Sequence, residues 1–239
     1  MISKNEIKRV KSLHRKKGRD NENCFLVEGD KMVGEAIDSP YDIVQLYVRE
    51  NSQWSDKEGA RLISESEMNQ ISTLKTPSPS LAVVRSRSIK NGGVENKTLV
   101  LDGISDPGNL GTIIRTADWF GFKHVVVSEN TVEEYNPKTV QASMGSIFRV
   151  QIHRTQLVPF IERIKQERIP VLGAVLGGDN SANMGAYQSA CLVIGSESHG
   201  ISQEVLKQLD VGITIPQKGG AESLNASVAT GILLHTWSC

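Results

Sequence analysis

Cysteine is scarce in this sequence. Cys24, Cys191 and Cys239 are odd in number and lie far apart. Such a set predicts neither a disulfide framework nor a thiolate metal site, and it favours a cytosolic protein. The five histidines also lack the spacing of metal ligands. We therefore expect no bound metal.

Long apolar runs and a net charge are lacking as well. No run approaches the roughly 18 apolar residues of a membrane-spanning helix. The N-terminus has no apolar signal-peptide core, so no membrane partner is expected. Lys+Arg and Asp+Glu both number 27, and the total charge therefore gives no argument for a polyanionic partner.

The charge is nevertheless unevenly distributed. Between residues 4 and 19 the only acidic residue is Glu6. The same stretch holds a basic cluster of Lys4, Lys8, Arg9, Lys11, Arg15, Lys16, Lys17 and Arg19. Such a cluster is typical of a surface that binds phosphate groups, and a solvated helix face is the alternative.

Residues 1–85 predict a small α/β unit. A strand over "CFLVEG" precedes a helix over "DKMVGEAI", and a second strand follows over "IVQLYVR". Residues 86–97 are polar, contain Asn91, Gly92 and Gly93, and show no apolar periodicity. They predict a linker to a second domain over residues 98–239.

The pattern changes in the second domain. Short, uninterrupted apolar runs alternate there with helical segments, which predicts an α/β fold with a parallel sheet covered on both faces. The runs span residues 98–104, 123–129, 169–176, 191–197 and 211–217.

Three of these predicted strands end in glycines and polar side chains, in "DGISDPGNLG", "GSESHG" and "PQKGGAESLN". Ligands of parallel sheets bind beyond the carboxyl ends of the strands, so the three loops predict one site. Asn109 is expected to cap the helix that follows the first loop, and Arg115 to lie away from its apolar face. That face is predicted to contain Leu110, Ile113, Ile114, Ala117 and Phe120. The helix after the third loop is expected to carry Ser223, Asn225 and Ser227.

Longer stretches around these loops resemble a known family. "DPGNLGTIIRTADWFGF", "IGSESHGIS" and "IPQKGGAESLNASVA" are similar to the three motifs of the SpoU (TrmH-like) RNA ribose 2′-O-methyltransferases, within the SPOUT superfamily. "YNPKTVQASMGSIFRV" also matches, so the resemblance spans residues 98–239 in order. "NCFLVEGDKMVGEAI" resembles, more loosely, the ribosomal L30e-like substrate-binding domain of many of these enzymes.

The resemblance implies a C-terminal SPOUT domain with a deep trefoil knot that binds S-adenosylmethionine. It also implies a homodimer in which the arginine of the first motif comes from the partner subunit. The positions that match catalytic residues are Asn109, Arg115, Glu197, Ser223 and Asn225. The positions expected to bind or border the cofactor are Leu176, Gly177, Gly195, Glu197, Ile215, Gln217, Ser223 and Leu224. Gln217 departs from the methionine that is usual in the family.

The implied activity is 2′-O-methylation of RNA. We further expect the N-terminal unit to dock structured RNA through the basic cluster. Members with the extra domain often act on ribosomal RNA, so 23S rRNA is the expected substrate and tRNA the alternative. An inactive RNA-binding protein of the same fold is a further alternative. A serine hydrolase is suggested by Ser198 and His199, but Ser196 stands where a nucleophile elbow needs glycine.

Overall fold

The computed structural model describes residues 1–87 and 96–238 and divides into two compact units. One unit is Met1–Ser88 with Glu133–Phe148, and the other is Ile89–Val132 with Arg149–Cys239. Residues 88–95 of the predicted linker, and Cys239, lie outside the described residues. The segment 133–148, which follows the first motif in sequence, therefore packs with the N-terminal unit.

Helices and strands are numbered in chain order. The α-helices are α1 (Lys4–Ser12), α2 (Lys16–Glu22), α3 (Asp30–Ile37), α4 (Glu65–Ile71), α5 (Pro107–Trp119), α6 (Pro137–Ser143), α7 (Leu157–Gln166), α8 (Gln203–Leu206) and α9 (Ala226–Ser238). The strands are β1 (Cys24–Glu28), β2 (Ile43–Val48), β3 (Ala60–Leu62), β4 (Ser80–Arg85), β5 (Lys97–Asp102), β6 (His124–Ser128), β7 (Gln151–Thr155), β8 (Val171–Asn180), β9 (Ala190–Gly195) and β10 (Val211–Thr214).

The N-terminal unit contains a mixed sheet in the order β1-β4-β2-β3. Strand β4 pairs antiparallel with both β1 and β2, and β2 pairs parallel with β3. Strands β1 and β2 and helix α3 confirm the small α/β unit predicted from the sequence. Every residue of β1 is buried, which explains why its uninterrupted apolar run was recognisable.

Aromatic side chains attach the 133–148 segment to this unit. The ring of Tyr135 stacks on that of Phe25 with centroids 4.3 Å apart. The hydroxyl oxygens of Tyr135 and Tyr41 lie 3.4 Å apart, and burial raises the pKa of the Tyr135 phenol. Stacked and edge-on aromatic pairs stabilise beyond the area that they bury, so the segment is an integral part of the unit.

The second unit contains a sheet in the order β10-β8-β9-β5-β6-β7, in which every pair of neighbours is parallel. This confirms the predicted parallel sheet. Strand β7 was not predicted, because "QIHRT" is polar and only His153 in it is buried. Edge strands bury less surface than central ones, so a search for continuous apolar runs misses them.

Candidate active site

The first strand-end loop leads into α5, whose start differs from the prediction. The N-cap is Asp106, whose Oδ1 accepts from the amide of Asn109 at 2.8 Å, and Pro107 is the first helical residue. The prediction that Asn109 caps this helix is therefore wrong. An Asp-Pro pair is a typical N-cap and first-turn sequence, and it was the signal that could have located the cap.

Helix α5 buries the face that the sequence predicted. The buried residues of this face are Leu110, Ile113, Ile114 and Ala117. Burial of each large apolar side chain contributes about 2 kcal/mol to the free energy of folding, which stabilises the packing of α5 in its unit. Phe120 is half-buried at the C-cap. Arg115 is exposed, as predicted.

Because Asp106 caps the helix, the side chain of Asn109 is available to the site. Its Nδ2 donates to Oε1 of Glu197 at 2.7 Å. Asn225 Nδ2 donates to the same oxygen at 2.5 Å and to Oδ1 of Asn109 at 3.0 Å. The structure thus brings together one polar side chain from each of the three motifs.

The backbone of α9 completes this network. The amide of Ala226, the first residue of α9, donates to Oε1 of Glu197 at 3.1 Å. A carboxylate at this position is also favoured by the positive end of the helix dipole. The predicted placement of Ser223 and Asn225 on the helix is wrong, because α9 begins at Ala226. Asn225 instead caps it, with Oδ1 accepting from the amide of Ser227 at 3.0 Å.

The loop that carries Glu197 is tightly folded. The backbone amide of Ser196 donates to the carbonyl of Gly200 at 3.0 Å, and the Gly200 amide donates back at 2.9 Å. A Cβ on Gly195 would lie 2.1 Å from the carbonyl carbon of Gly200, so only glycine fits there. The carboxylate therefore projects from a fixed turn.

An apolar surface lies on strand β8 of the same unit. Pairing with β10 jumps from Gly173 opposite Gly212 to Asp179 opposite Ile213, so residues 174–178 bulge out of the register. The bulge carries Leu176, which is 80% exposed, and Gly177, whose φ is +78°. The prediction placed both residues at the end of a strand; they lie in a bulge within one.

The remaining predicted cofactor residues follow β10. Ile215 is half-buried, and Ser223 and Leu224 are exposed. Gln217 braces its own loop, with Nε2 donating to the carbonyls of Gly219 at 2.8 Å and Ala221 at 2.7 Å. Within the described residues, neither Arg115 nor Ser223 makes a hydrogen bond to the Asn109–Glu197–Asn225 network.

The basic cluster lies on α1 and α2. Lys4, Lys8 and Lys11 are exposed and share one helical face by their i, i+4, i+7 spacing. The other exposed members are Arg9, Arg15, Lys16 and Lys17. Arg9 pairs with Glu22 at 2.8 Å and Lys16 with Asp20 at 3.0 Å, and such exposed pairs are weak.

Arg19 does not belong to this surface. It is only 5% exposed, and its guanidinium contacts Glu133 at 2.7 Å and the carbonyl of Leu13 at 2.9 Å. A buried arginine held by a carboxylate cannot reach an RNA phosphate without leaving that partner unpaired. The prediction that Arg19 binds RNA is therefore wrong, and Arg19 instead attaches the 133–148 segment.

The two described cysteines are free and buried. Burial raises the pKa of the Cys191 thiol to about 12, so little reactive thiolate forms there at neutral pH. In the described ranges, no three His, Cys, Asp or Glu side chains are arranged to hold a metal ion. No described helix is both long enough and apolar enough to span a membrane.

Ser198 and His199, the pair behind the hydrolase alternative, lie in contact. The Ser198 hydroxyl oxygen is 2.7 Å from Nδ1 of His199 at the exposed tip of the loop. Glu197 does not support this pair, because its Oε1 is bound to the two asparagines.

Comparison with known proteins identifies the family. The model of the SpoU rRNA Methylase family matches residues 96–235, and that of the MRM3-like substrate binding domain matches residues 4–82. The chain belongs to the SpoU rRNA methylase family. The resemblance drawn from the three motifs is thereby confirmed.

The similarity of this SpoU methylase to individual proteins extends over both units. It is 34% identical over 235 residues to the 23S rRNA (guanosine(2553)-2′-O)-methyltransferase RlmP of Bacillus subtilis, which covers 96% of this chain and 94% of RlmP. Among solved structures, it matches a protein from Porphyromonas gingivalis assigned to the TrmH family of RNA methyltransferases. That match has a TM-score of 0.89 and 39% identity, over 99% of this chain and 98% of the other.

A third match concerns the cofactor. The S-adenosylmethionine-bound rRNA methyltransferase from Sinorhizobium meliloti aligns with a TM-score of 0.86 and 28% identity, over 99% of this chain and 96% of the other. This SpoU methylase is accordingly an RNA methyltransferase.

Proposed function

We propose that this SpoU methylase transfers a methyl group to a ribose 2′-hydroxyl of 23S rRNA. It would act as a cytoplasmic homodimer with a trefoil-knotted catalytic domain and an L30e-like RNA-binding unit. The observation that carries the proposal is the hydrogen-bonded Asn109–Glu197–Asn225 network, which joins the three family motifs at one point. The alignment with RlmP over 96% of the chain favours the ribosomal substrate.

The residues present fit S-adenosylmethionine. The bulge of β8 exposes Leu176 beside Gly177, a position where an added side chain would meet nothing within 4 Å. Leu224 is a second exposed apolar side chain, next to Asn225. Leu176, Ile215 and Leu224 would hold the adenine moiety, while the backbone at Gly195 would bind its polar edge.

Methyl transfer to a ribose 2′-hydroxyl requires that the reacting groups be oriented and that the developing charge be stabilised. The cofactor supplies an electrophilic sulfonium methyl group. The chain must hold the 2′-hydroxyl in line with that group and ease loss of its proton. The Asn109–Glu197–Asn225 network would hold together the three motif loops around the cofactor. Arg115 would bind the phosphate beside the target ribose through its planar guanidinium and stabilise the developing alkoxide.

Arg115 belongs to the partner's site in this proposal. It follows Asn109 by six residues on α5, which is about 9 Å along the axis and about 120° around it. It therefore faces a different direction from the side chain that binds Glu197. Trp119, one turn further on, is 84% exposed. An exposed tryptophan beside a functional arginine supports a subunit interface on this face.

Helix α9 extends this apolar surface. Val228 and Ile232 are exposed at i, i+4 spacing. Helix α9 lies so close to α5 that a Cβ added to Gly231 would be 3.8 Å from Thr116 Cγ2. The tilted rings of Phe120 and His235 lie 6.0 Å apart between the same helices. Two neighbouring helices thus present apolar side chains that a second copy of the chain would cover.

The exposed lysines of α1 are the proposed RNA contact of the N-terminal unit. Replacing Lys4, Lys8 and Lys11 together by Gln should lower the slope of log Kd against log salt for RNA by about 2, because each phosphate contact releases counterions. Filter binding of rRNA fragments at several salt concentrations measures this slope. Replacement of Lys57, Lys123 and Lys207 by Gln changes the charge equally and should leave the slope unchanged. Equal slopes for the two triple variants would disprove the contact.

Methyl transfer provides the direct test of the function. Purified protein and labelled S-adenosylmethionine are incubated with 23S rRNA and with tRNA lacking the modification, and the labelled ribose is mapped. We expect label on a 2′-oxygen of 23S rRNA. Label on tRNA alone would establish the alternative substrate. RNA binding without transfer would indicate an inactive relative of the enzymes.

A further inference from the structure

Asp102 is a buried carboxylate at the carboxyl end of β5. Asp102 is only 5% exposed, and its Oδ2 accepts a hydrogen bond from the backbone amide of Ser202 at 2.8 Å. These residues are 100 positions apart in the chain. Burying a carboxylate is unfavourable unless it is hydrogen-bonded, so this contact has a structural reason to persist.

Ser202 lies at the end of the loop that carries Glu197. The loop leaves β9 at Gly195, which pairs with Asp102 in the parallel register of β5 and β9. It turns through the reciprocal hydrogen bonds of Ser196 and Gly200, and Ile201 is then buried in the core. Asp102 therefore lies beside the start of the loop and binds its end.

We infer that Asp102 is a positioning residue for Glu197. By holding the Ser202 amide beside Gly195, it closes the base of the loop and sets where the carboxylate meets Asn109 and Asn225. This inference rests on the proposed function, since the loop would bind S-adenosylmethionine. The expected consequence is a specific loss of cofactor affinity when the Asp102–Ser202 hydrogen bond is removed.

The bond can be removed from either side. Asp102→Ala deletes the acceptor, while Ser202→Pro deletes the amide hydrogen at a residue whose φ of −61° already suits proline. Asp102→Asn keeps an oxygen that can accept from the amide. Asp210→Ala is the matched control, because Asp210 Oδ2 accepts from the amide of Val171 at 2.9 Å, at the opposite, amino end of β8.

Calorimetric titration with S-adenosylmethionine and steady-state methylation of RNA measure the effect. We expect Asp102→Ala and Ser202→Pro to raise the cofactor Kd and KM at least about tenfold, with the KM for RNA unchanged. Asp102→Asn and Asp210→Ala should stay within about twofold of the wild type. The comparison concerns cofactor affinity, so a loss of thermal stability that Asp102→Ala and Asp210→Ala share does not count for or against the inference.

Unchanged cofactor affinity in folded Asp102→Ala or Ser202→Pro would overturn the inference. So would an Asp102→Asn protein as impaired as the alanine variant, because the acceptor would then be irrelevant. If Asp102→Ala does not fold, Ser202→Pro and Asp102→Asn decide. A wild type that neither binds S-adenosylmethionine nor methylates RNA would instead refute the proposed function, whatever the variants do.

Discussion

At the scale of single residues, one carboxylate oxygen holds the site together. Oε1 of Glu197 accepts from the side chains of Asn109 and Asn225 and from the amide of Ala226. Hydrogen bonds to a charged acceptor are roughly twice as strong as neutral ones. Glu197 thereby links helix α5 to the start of helix α9.

Removal of this carboxylate should disable the enzyme. We expect Glu197→Ala to lower kcat/KM for methyl transfer on the order of 100-fold or more, since several charge-assisted hydrogen bonds are lost. Ser198→Ala alters the next residue, whose hydroxyl lies within hydrogen-bonding distance of the exposed His199, and should keep wild-type kinetics. Wild-type methyl transfer by Glu197→Ala would show that the carboxylate is not needed for the reaction.

At the scale of elements, helix α4 has a capping box that responds to pH. Glu67 accepts from the backbone amides of Ser64 at 2.9 Å and Ile2 at 2.6 Å. These hydrogen bonds lower the pKa of Glu67 to about 2, and the bond from the Ser64 amide has the largest effect. Because the pKa of Glu67 is lower in the folded protein than its usual value of 4.5, the ionised carboxylate stabilises the folded state above pH 4.5. This stabilisation is lost as the pH falls towards 2.

Glu67→Gln should therefore be less stable than the wild type at neutral pH and equally stable near pH 2. Thermal denaturation of both proteins between pH 7 and pH 2 measures this convergence. Glu65→Gln removes a carboxylate from the same turn, where it pairs with Arg49 at 3.1 Å, and should show a smaller difference. Parallel curves for Glu67→Gln and wild type across the range would refute the assignment.

The exposed face of α9 yields a second prediction at this scale. Val228→Asp places a charge on the surface proposed for the partner subunit, and we expect it to convert dimers to monomers because burial of an unpaired charge is unfavourable. Leu62→Asp is a matched control, since Leu62 on β3 is 52% exposed and Val228 51%. Light scattering on a sizing column measures the mass. A dimeric Val228→Asp protein would exclude this interface.

At the scale of the whole molecule, the proposal divides the site between two subunits. Asn109, Glu197 and Asn225 are joined within one chain, and Arg115 is exposed on another face of α5. A site assembled in this way cannot function in an isolated chain. It can, however, be restored by combining two chains with different defects.

Mixing Arg115→Ala with Glu197→Ala subunits tests this division. Heterodimers contain one intact site if Arg115 acts on the partner, so an equal mixture refolded together should recover about a quarter of wild-type activity. Neither variant should be active alone. Recovery of no activity from heterodimers verified by mass would mean that Arg115 serves its own chain.

The sequence by itself determined the strands and the loops that carry chemistry. Uninterrupted apolar runs must be buried, so β1, β5, β6 and β9 were recognisable without a structure. The parallel arrangement places their carboxyl ends at one edge, which predicted that the three motifs converge. The exposure of Arg115 followed from helical periodicity alone.

Only the tertiary structure decided what each polar residue binds. Asn109 is a partner of Glu197 and not a cap, Arg19 is buried against Glu133, and residues 133–148 pack with the N-terminal unit. Periodicity and capping rules operate over a few neighbouring residues, whereas these contacts join positions 88 and 114 residues apart. Their partners are selected by how the strands and helices pack, and that packing is not encoded in any short stretch of the chain.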